Sequence, residues 1–470
     1  EQVDLQHRFE PWRAGGRLGH LRSGLRLGHG NGIVELVEFG MSGCRLGLGP
    51  CGFLRCRWQF SMLNLIWAGF ILTALATAAW QGFVLGHPEI FGQLTKAMFD
   101  SAKTGFDIAI ALSGVMTLWL GIMQIGERAG FVQAIARLLG PLFARLFPEI
   151  PPGHPALGSM SMNIAANMLG LDNAATPMGL KAMQELQALN PHKDTASNAQ
   201  ILFLVINTAS VTLFPVTVFA YRAQLGAANP TDVFIPILLA TYVSTLSGLI
   251  LTALIQRLKL FDPVVLAYLG GMSALVAGGT WWFLRLPPAE MQAQSALLSN
   301  ATLMLLIGAF IVGALLKKVD VYEAFIDGAK DGFNTSVRII PYLVAMLVAI
   351  ALLRASGAME LAIGALRGLV AGGGFDARWV DGLPTGIMKT LSGGGAKALM
   401  LDTMHTQGAD SFAGRLVSVI QGSSETTFYV LAVYFGSVGI RRTRYAAGCG
   451  LFADVVGFAA AVAVTYAFFG

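Results

Sequence analysis

The chain has 470 residues, of which 54% are hydrophobic and only 13% charged, and its formal net charge is +5. A soluble domain usually has about a quarter of its residues charged, so this composition excludes an ordinary water-soluble globular protein. The excess Lys and Arg residues are scattered, which argues against a nucleic-acid partner and favours contact with a lipid bilayer.

Residues 1–61 differ from the rest, because Gly and Arg recur there and no apolar run reaches the ~20 residues that a membrane span needs. One hypothesis is that Met62 is the native start and that residues 1–61 are an upstream translation; the alternative is a flexible basic leader. Abundant native peptides from residues 1–55 would contradict the first hypothesis. The cysteines lack a CxxC spacing and are interpreted as free or incidental thiols.

Nine apolar runs follow, each close to the length that crosses ~30 Å of hydrocarbon as a helix. The predicted spans are residues 63–83, 106–125, 201–221, 233–255, 264–284, 300–316, 336–353, 424–439 and 446–469.

Four further segments have a different character. Residues 131–147 and 319–334 place apolar and charged residues at helical spacing, which predicts amphipathic helices lying in the membrane interface. Residues 158–190 and 383–407 are apolar but interrupted by Gly, Pro or Asn, which predicts re-entrant or broken helical hairpins.

The sequence also repeats itself. Residues 102–106 read Ala-Lys-Thr-Gly-Phe and residues 329–333 read Ala-Lys-Asp-Gly-Phe, a shift of 227 from 102 to 329. Residues 207–214 align with residues 421–428 at a shift of 214. Because the matches occur in the same order, they predict two related halves.

The distribution of basic loops predicts the orientation of these halves. Basic residues cluster in four places, whereas the loops 84–92 and 286–299 contain no Lys or Arg. The clusters are Arg55 with Arg57, Arg257 with Lys259, Lys317 with Lys318, and Arg441 with Arg442 and Arg444. With basic loops in the cytoplasm, the two halves have opposite topology, as in many secondary transporters.

In such a transporter the solute lies near the midplane, where interrupted helices expose backbone groups. The candidate solute-binding residues of the two hairpins are Asn163, Asn167, Asn173, Thr176, Lys389, Ser392, Gly393 and Gly394. Their Asn and Lys side chains exceed what helix capping requires. The alternative is that both hairpins are re-entrant turns that only pack against other helices.

The repeated polar segment supplies the remaining candidates: Ser210, Thr212, Ser424, Glu425 and Thr426. An ionisable group at membrane depth is costly, so Glu425 indicates either a site or an ion pair with a lysine of the second hairpin. Ser and Thr also bond to carbonyls of their own helix, which is the alternative for the hydroxyls.

The remaining polar residues indicate no catalytic chemistry. Lys103 and Lys330 occupy equivalent repeat positions and are interpreted as reaching toward lipid headgroups. No metal-ligand spacing, nucleophile elbow, phosphate loop or dinucleotide loop occurs in a fitting context. The sequence therefore predicts neither an enzyme nor a resident metal or cofactor.

Longer phrases carry a family resemblance. They include Asn173-Ala-Ala-Thr-Pro-Met-Gly-Leu-Lys-Ala-Met183 in the first half and Gln421-Gly-Ser-Ser-Glu-Thr-Thr-Phe428 in the second. Through these phrases, residues 62–260 resemble the spore maturation protein A family and residues 300–470 the spore maturation protein B family, with residues 261–299 as the join.

This resemblance implies a member of the nucleoside-recognition or gate group, which is related to nucleoside carriers and occurs in ferrous-iron transporters. It implies a multi-pass protein of a bacterial inner membrane, similar to a fused form in bacteria that need not sporulate. In spore formers the pair is associated with dehydration of the spore core. Where the family pattern has Arg-Pro, this chain has Lys389-Thr390, which keeps the charge but loses bidentate hydrogen bonding.

Two hypotheses follow. The first is a transporter- or permease-like protein, a possible homo-oligomer, that binds a small polar solute or ion between the repeats. The second is a non-transporting membrane factor for envelope or spore maturation on a transporter-derived scaffold. The first predicts an aqueous cavity that reaches Asn167, Lys389 and Glu425, whereas a scaffold could fill that space with apolar side chains.

Overall fold

The computed structural model describes residues 62–209, 211–374 and 376–470, except for the side chains of residues 62, 63, 172–174, 288 and 289. In a separate N-terminal unit, residues 1–65, it also describes three short antiparallel strands, β1 (Ile33–Val34), β2 (Cys44–Leu48) and β3 (Leu54–Trp58), in that order. The hypothesis about the origin of residues 1–61 lies outside the described residues.

In the rest of the described chain the regular elements are helices. In chain order the helices are α1 (Met62–Ala79), α2 (Glu89–Arg128), α3 (Phe131–Leu146), α4 (Pro155–Met168), α5 (Asp172–Leu189), α6 (Asn198–Thr208), α7 (Val216–Gln224), α8 (Phe234–Gln256), α9 (Pro263–Val265), α10 (Gly271–Phe283), α11 (Pro288–Leu316), α12 (Val321–Ala355), α13 (Ala358–Gly372), α14 (Leu383–Leu391), α15 (Gly393–Gln407), α16 (Phe412–Ser423), α17 (Thr427–Ser437) and α18 (Ala446–Phe469). Two π-helical turns, Trp80–Val84 and Leu266–Gly270, and a 3-10 turn, Arg378–Gly382, extend this pattern.

Seven segments of the described chain are long and apolar enough to cross a bilayer. They are Asn64–Val84, Glu89–Arg128, Phe234–Gln256, Pro263–Phe283, Glu290–Leu316, Val321–Ala355 and Ala446–Phe469. From Met62 onward the chain is therefore an all-α polytopic membrane protein, as its composition predicts.

Two of the nine predicted spans are wrong as continuous helices. In the run 201–221, α6 ends at Thr208 and α7 begins only after Pro215, whose ring and missing N–H disfavour an unbroken helix. In the run 424–439, Ser424 and Thr426 have extended backbone, and α17 has only 11 residues. In both runs the apolar composition predicts a segment within the membrane, but it does not predict that the helix is interrupted.

The prediction of a separate amphipathic helix at 319–334 is also wrong, because that stretch is the first part of the 35-residue helix α12. The prediction for residues 131–147 agrees with α3. Its counterpart in the second half is α13, which follows Gly357 as α3 follows Gly130, at the same shift of 227. Both glycines have a left-handed backbone, with φ of 79° and 73°, which a residue with a Cβ adopts only with strain.

The two longest helices, α2 and α12, pack antiparallel through small residues. Gly105 of α2 lies against Val344 of α12, and its repeat equivalent Gly332 lies against Thr117 and the carbonyl of Met116. A shift of 227 carries Thr117 onto Val344, so the two contacts are equivalent under the repeat. α8 and α18 are also antiparallel. This arrangement is compatible with two repeats of inverted topology.

A group of charges, of which Arg222 is buried and the other three are half-buried, joins the two halves. We call its four residues, Arg222, Asp232, Asp410 and Arg415, the inter-half cluster. Arg222 has no exposed surface, and its Nη2 donates to Asp232 Oδ1 at 2.8 Å and to Asp410 Oδ1 at 3.1 Å. Arg415 Nε donates to Asp232 Oδ2 at 2.8 Å. Each carboxylate contacts both arginines, so the cluster is a connected network of ion pairs.

Candidate functional site

The first predicted hairpin consists of α4 and α5, which meet at a turn where Gly170 has φ of 73°. This turn packs against the break between α6 and α7, where the N–H of Leu213 donates to the carbonyl of Met168 at 2.8 Å. A Cβ on Gly170 would lie 3.0 Å from the carbonyl oxygen of Phe214. The hairpin tip and the broken helix therefore form one unit.

The second hairpin consists of α14 and α15, joined at Ser392, whose hydroxyl accepts from the N–H of Gly395 at 3.2 Å. Its tip packs against the break between α16 and α17, because a Cβ on Gly393 would lie 2.8 Å from Thr426 Oγ1. In the same break, the N–H of Glu425 donates to the carbonyl of Thr208 at 2.7 Å, which ties the two breaks together.

Where hairpins and breaks meet there is a cavity of about 110 Å³, which we call the central cavity. Its lining comes from both halves and from both hairpins. The lining residues are Asn167, Gly170, Thr212, Phe214, Pro215, Val216, Thr217, Val218, Tyr221, Lys389, Gly393, Lys397, Gln421, Gly422, Ser424 and Glu425. The first turn of α7 also lies here, so helical N–H groups border the cavity.

The central cavity is polar in a part of the protein that is otherwise apolar. Lys389 is only 5% exposed, Lys397 is half-buried and Glu425 is exposed. Gln421 Oε1 is buried and has no hydrogen-bond partner among the described residues. Because a buried acceptor without a donor costs free energy, this oxygen is placed to accept a hydrogen bond from a bound solute or water.

Six of the predicted site residues meet in this cavity: Asn167, Thr212, Lys389, Gly393, Ser424 and Glu425. Three others support its walls instead. Asn163 is fully buried and donates to Ala175 O at 2.8 Å and to Tyr434 OH at 3.2 Å. Ser392 caps α15, and Thr426 packs on Gly393.

Four predicted residues are not brought into the cavity by the described structure. Thr176 on α5 and Gly394 on α15 are not part of its lining. Ser210 and the side chain of Asn173 lie outside the described residues. Their assignment to a solute site stays a prediction.

Several residues of the site escaped the sequence analysis. Asn207 accepts a hydrogen bond from Asn167 at 2.9 Å, and Tyr221 and Gln421 line the cavity. Asp454 lies beside the site, because the lining residues Lys389 and Ser424 are close enough to interact with its carboxylate. A signal for Asp454 was present, since it is the one carboxylate in the apolar run 446–469.

Comparisons with known proteins single out the same region. The sequence model of a family described as "Gate: Nucleoside recognition" matches residues 109–225 and 336–441, which contain both hairpins and both breaks. Spore maturation protein A of Bacillus subtilis (strain 168) is 38% identical over 190 residues, 40% of this chain and 93% of that protein. Spore maturation protein B of the same organism is 40% identical over 173 residues, 37% of this chain and 96% of that protein.

Proposed function

The chain belongs to the family of the spore maturation proteins A and B, and from that premise we propose that it is a transporter- or permease-like protein of a bacterial inner membrane. It binds a small polar solute or ion in the central cavity, between the two halves. An α-helical multi-pass protein with bacterial relatives fits an inner membrane.

The observation that carries the proposal is the convergence of both broken segments on one polar cavity. Asn167 comes from the first hairpin, Lys389 from the second hairpin and Glu425 from the second break. Burying a lysine at membrane depth is costly unless it has a role or a compensating environment. A cavity with a cation, a carboxylate, amides and helical N–H groups can bind a solute that has both donors and acceptors.

The size of the cavity limits what the described conformation can contain. Its volume of about 110 Å³ compares with about 30 Å³ per water molecule in the liquid, so it has room for a few waters or a small ion. Pockets for larger organic ligands are usually about 300–1,000 Å³. A solute as large as a nucleoside therefore requires the hairpins to separate from the breaks.

The second candidate is a membrane factor for envelope or spore maturation that transports nothing. The names of the two B. subtilis relatives favour it. A scaffold needs no polar cavity, however, and the convergence of Asn167, Lys389 and Glu425 favours solute binding. Uptake by proteoliposomes separates the two, because only a transporter accumulates the solute.

We expect Lys389→Gln and Glu425→Gln each to weaken solute binding about tenfold to a hundredfold, since hydrogen bonds to charged groups contribute about 1.5–3 kcal/mol. The measurement is thermal unfolding of the purified protein with uridine and with adenosine, chosen because of the nucleoside-recognition family. A ligand at 100 times its Kd stabilises the native state by about 2.7 kcal/mol.

The matched control is Lys96→Gln, which removes an exposed lysine of α2 outside the cavity and should keep the stabilisation. Full stabilisation of both cavity variants by a nucleoside would show that the nucleoside does not bind in the central cavity.

A further inference from the structure

Asp454 is a buried carboxylate that the proposed function does not use. It lies in α18, in the third turn of a predicted span, and it is the only Asp, Glu, Lys, Arg or His in residues 445–470. Asp454 is only 8% exposed. A carboxylate at this depth is expensive and by default indicates a function.

The hydrogen bonding of Asp454 is incomplete on one side. Thr427 Oγ1 donates to Oδ2 at 2.8 Å, whereas Oδ1 is buried and has no hydrogen-bond partner among the described residues. The hydroxyls of Thr390 and Ser424 lie near the carboxylate, and the Lys389 ammonium is close enough to act on it electrostatically. Even with these groups nearby, Oδ1 stays buried without a donor, which is costly for an ionised carboxylate.

The other charges around α18 do not offset this cost. Besides Asp454, α18 has two titratable groups, Cys449 and Tyr466, and the neighbouring α6 has none. The other elements that pack beside α18 contribute Tyr242 (α8), Glu290 (α11), Lys389 (α14), Arg415 (α16), Glu425 (the second break), and Tyr429 and Tyr434 (α17). Arg415 is engaged by Asp232. Lys389 is therefore the cation that acts on Asp454.

We propose that Asp454 is a proton-binding site, and that its protonation controls the charge that acts on Lys389 in the central cavity. The proton adds to Oδ1, the oxygen without a donor, while Oδ2 keeps its bond from Thr427. A metal cation such as Na⁺ fits less well, because the Lys389 ammonium would repel it.

The consequence for the cavity follows from charge balance and rests on the proposed function. Lys389 and Ser424 line the central cavity and also lie near Asp454, so the two sites are adjacent. Protonation removes one negative charge and makes the cavity more favourable for a negatively charged solute. Because linkage is reciprocal, binding of an anion would in turn draw a proton onto Asp454.

The test is a pH titration of the full-length protein in lipid nanodiscs, followed by the infrared carbonyl band of a protonated carboxylic acid. We expect a band that grows as the pH falls, is missing in Asp454→Asn and remains in Asp107→Asn, which changes an exposed residue of α2. In Lys389→Gln the same band should persist to a pH about one to three units higher, because the opposing cation is gone.

Two results would overturn the proton site: the same band in wild-type and Asp454→Asn protein, or an unchanged titration in Lys389→Gln. Circular dichroism at each pH shows that the variants remain folded, and the lysine variant gives an answer even where Asp454→Asn does not fold. The titration uses no solute, so its failure leaves the central cavity as a solute site untouched.

The coupling to an anion is tested separately with uridine 5′-monophosphate against uridine in thermal unfolding. We expect the affinity for the monophosphate to rise at least tenfold from above to below the titration midpoint, with a smaller change for uridine. Equal changes for both would overturn the coupling and leave the proton site in place.

Discussion

Replacing Arg222 with leucine is expected to lower the free energy of unfolding by about 3 kcal/mol or more. Removal of one partner of a buried ion pair typically costs about 3–5 kcal/mol, because the other charge stays buried without compensation. Arg222 has no exposed surface and contacts two carboxylates, Asp232 and Asp410, as well as the carbonyl of Ala409 at 2.7 Å. Arg415 alone would then remain to neutralise both carboxylates.

The measurement is unfolding by denaturing detergent in mixed micelles, with Arg128→Leu as the control. Arg128 also joins the two halves through an ion pair, with Asp327 at 2.6 Å, but these side chains are 39% and 46% exposed. Exposed pairs contribute about 0–1 kcal/mol, so the control should change stability little. Equal losses in both variants would contradict the special role of the inter-half cluster.

Adding one methyl group at Gly332 is expected to destabilise the protein by about 2–3 kcal/mol. A Cβ there would lie 2.5 Å from the carbonyl oxygen of Met116 and 2.8 Å from Thr117 Cα. These are backbone atoms of α2, which cannot move aside as a side chain can, so α2 and α12 would have to separate along their length. Overpacking of a well-packed interior costs about 1–3 kcal/mol, and we expect the upper part of that range.

The same substitution at Gly114 provides a control on the same helix pair. A Cβ at Gly114 would meet no atom within 4 Å. Because Ala is a better helix former than Gly by up to about 1 kcal/mol, Gly114→Ala should be neutral or slightly stabilising. Unfolding in mixed micelles measures both variants, and a loss of stability in Gly114→Ala as large as that in Gly332→Ala would show that the close approach of the backbones is not the cause.

The sequence predicted the parts of the fold that depend on composition over long stretches. Seven apolar runs became spans, and the interruptions by Gly, Pro and Asn placed the two hairpins where α4–α5 and α14–α15 occur. The repeat predicted that Gly105 and Gly332 are equivalent, and both lie in the α2–α12 contact. These patterns are local in the sequence, so they can be recognised without knowledge of tertiary contacts.

The breaks at 209–215 and 424–426 were missed because their compensation is tertiary. A helix can open within a membrane only where other groups satisfy its backbone. Here the N–H of Leu213 bonds to Met168, and the N–H of Glu425 bonds to Thr208. Neither partner can be inferred from the residues of the break itself, so the apolar run predicts a continuous helix.

The candidate site was predicted in part for a similar reason. Asn167, Lys389 and Glu425 stood out because polar residues in apolar segments are costly. Asn163 stood out equally, yet its amide supports α5 and Tyr434 instead of lining the cavity. Asp454 was overlooked because the run around it is otherwise apolar and was interpreted only as a span.

The length of α2 has a mechanical consequence. Its 40 residues extend about 60 Å at 1.5 Å per residue, twice the ~30 Å of the hydrocarbon layer. Lys96, Lys103 and Asp107 are exposed charges in its first half, and Arg128 is a further one at its last residue. The antiparallel α12 has its charged first half at the opposite end of the pair. With its axis along the bilayer normal, a helix of this length would extend about 15 Å beyond the hydrocarbon layer on each side. Rotating the pair by about 10° about its middle would move each end, 30 Å away, by about 5 Å, close to the rise of one helical turn. The two ends would move in opposite directions, so that a movement at one face of the membrane is transmitted to the other face.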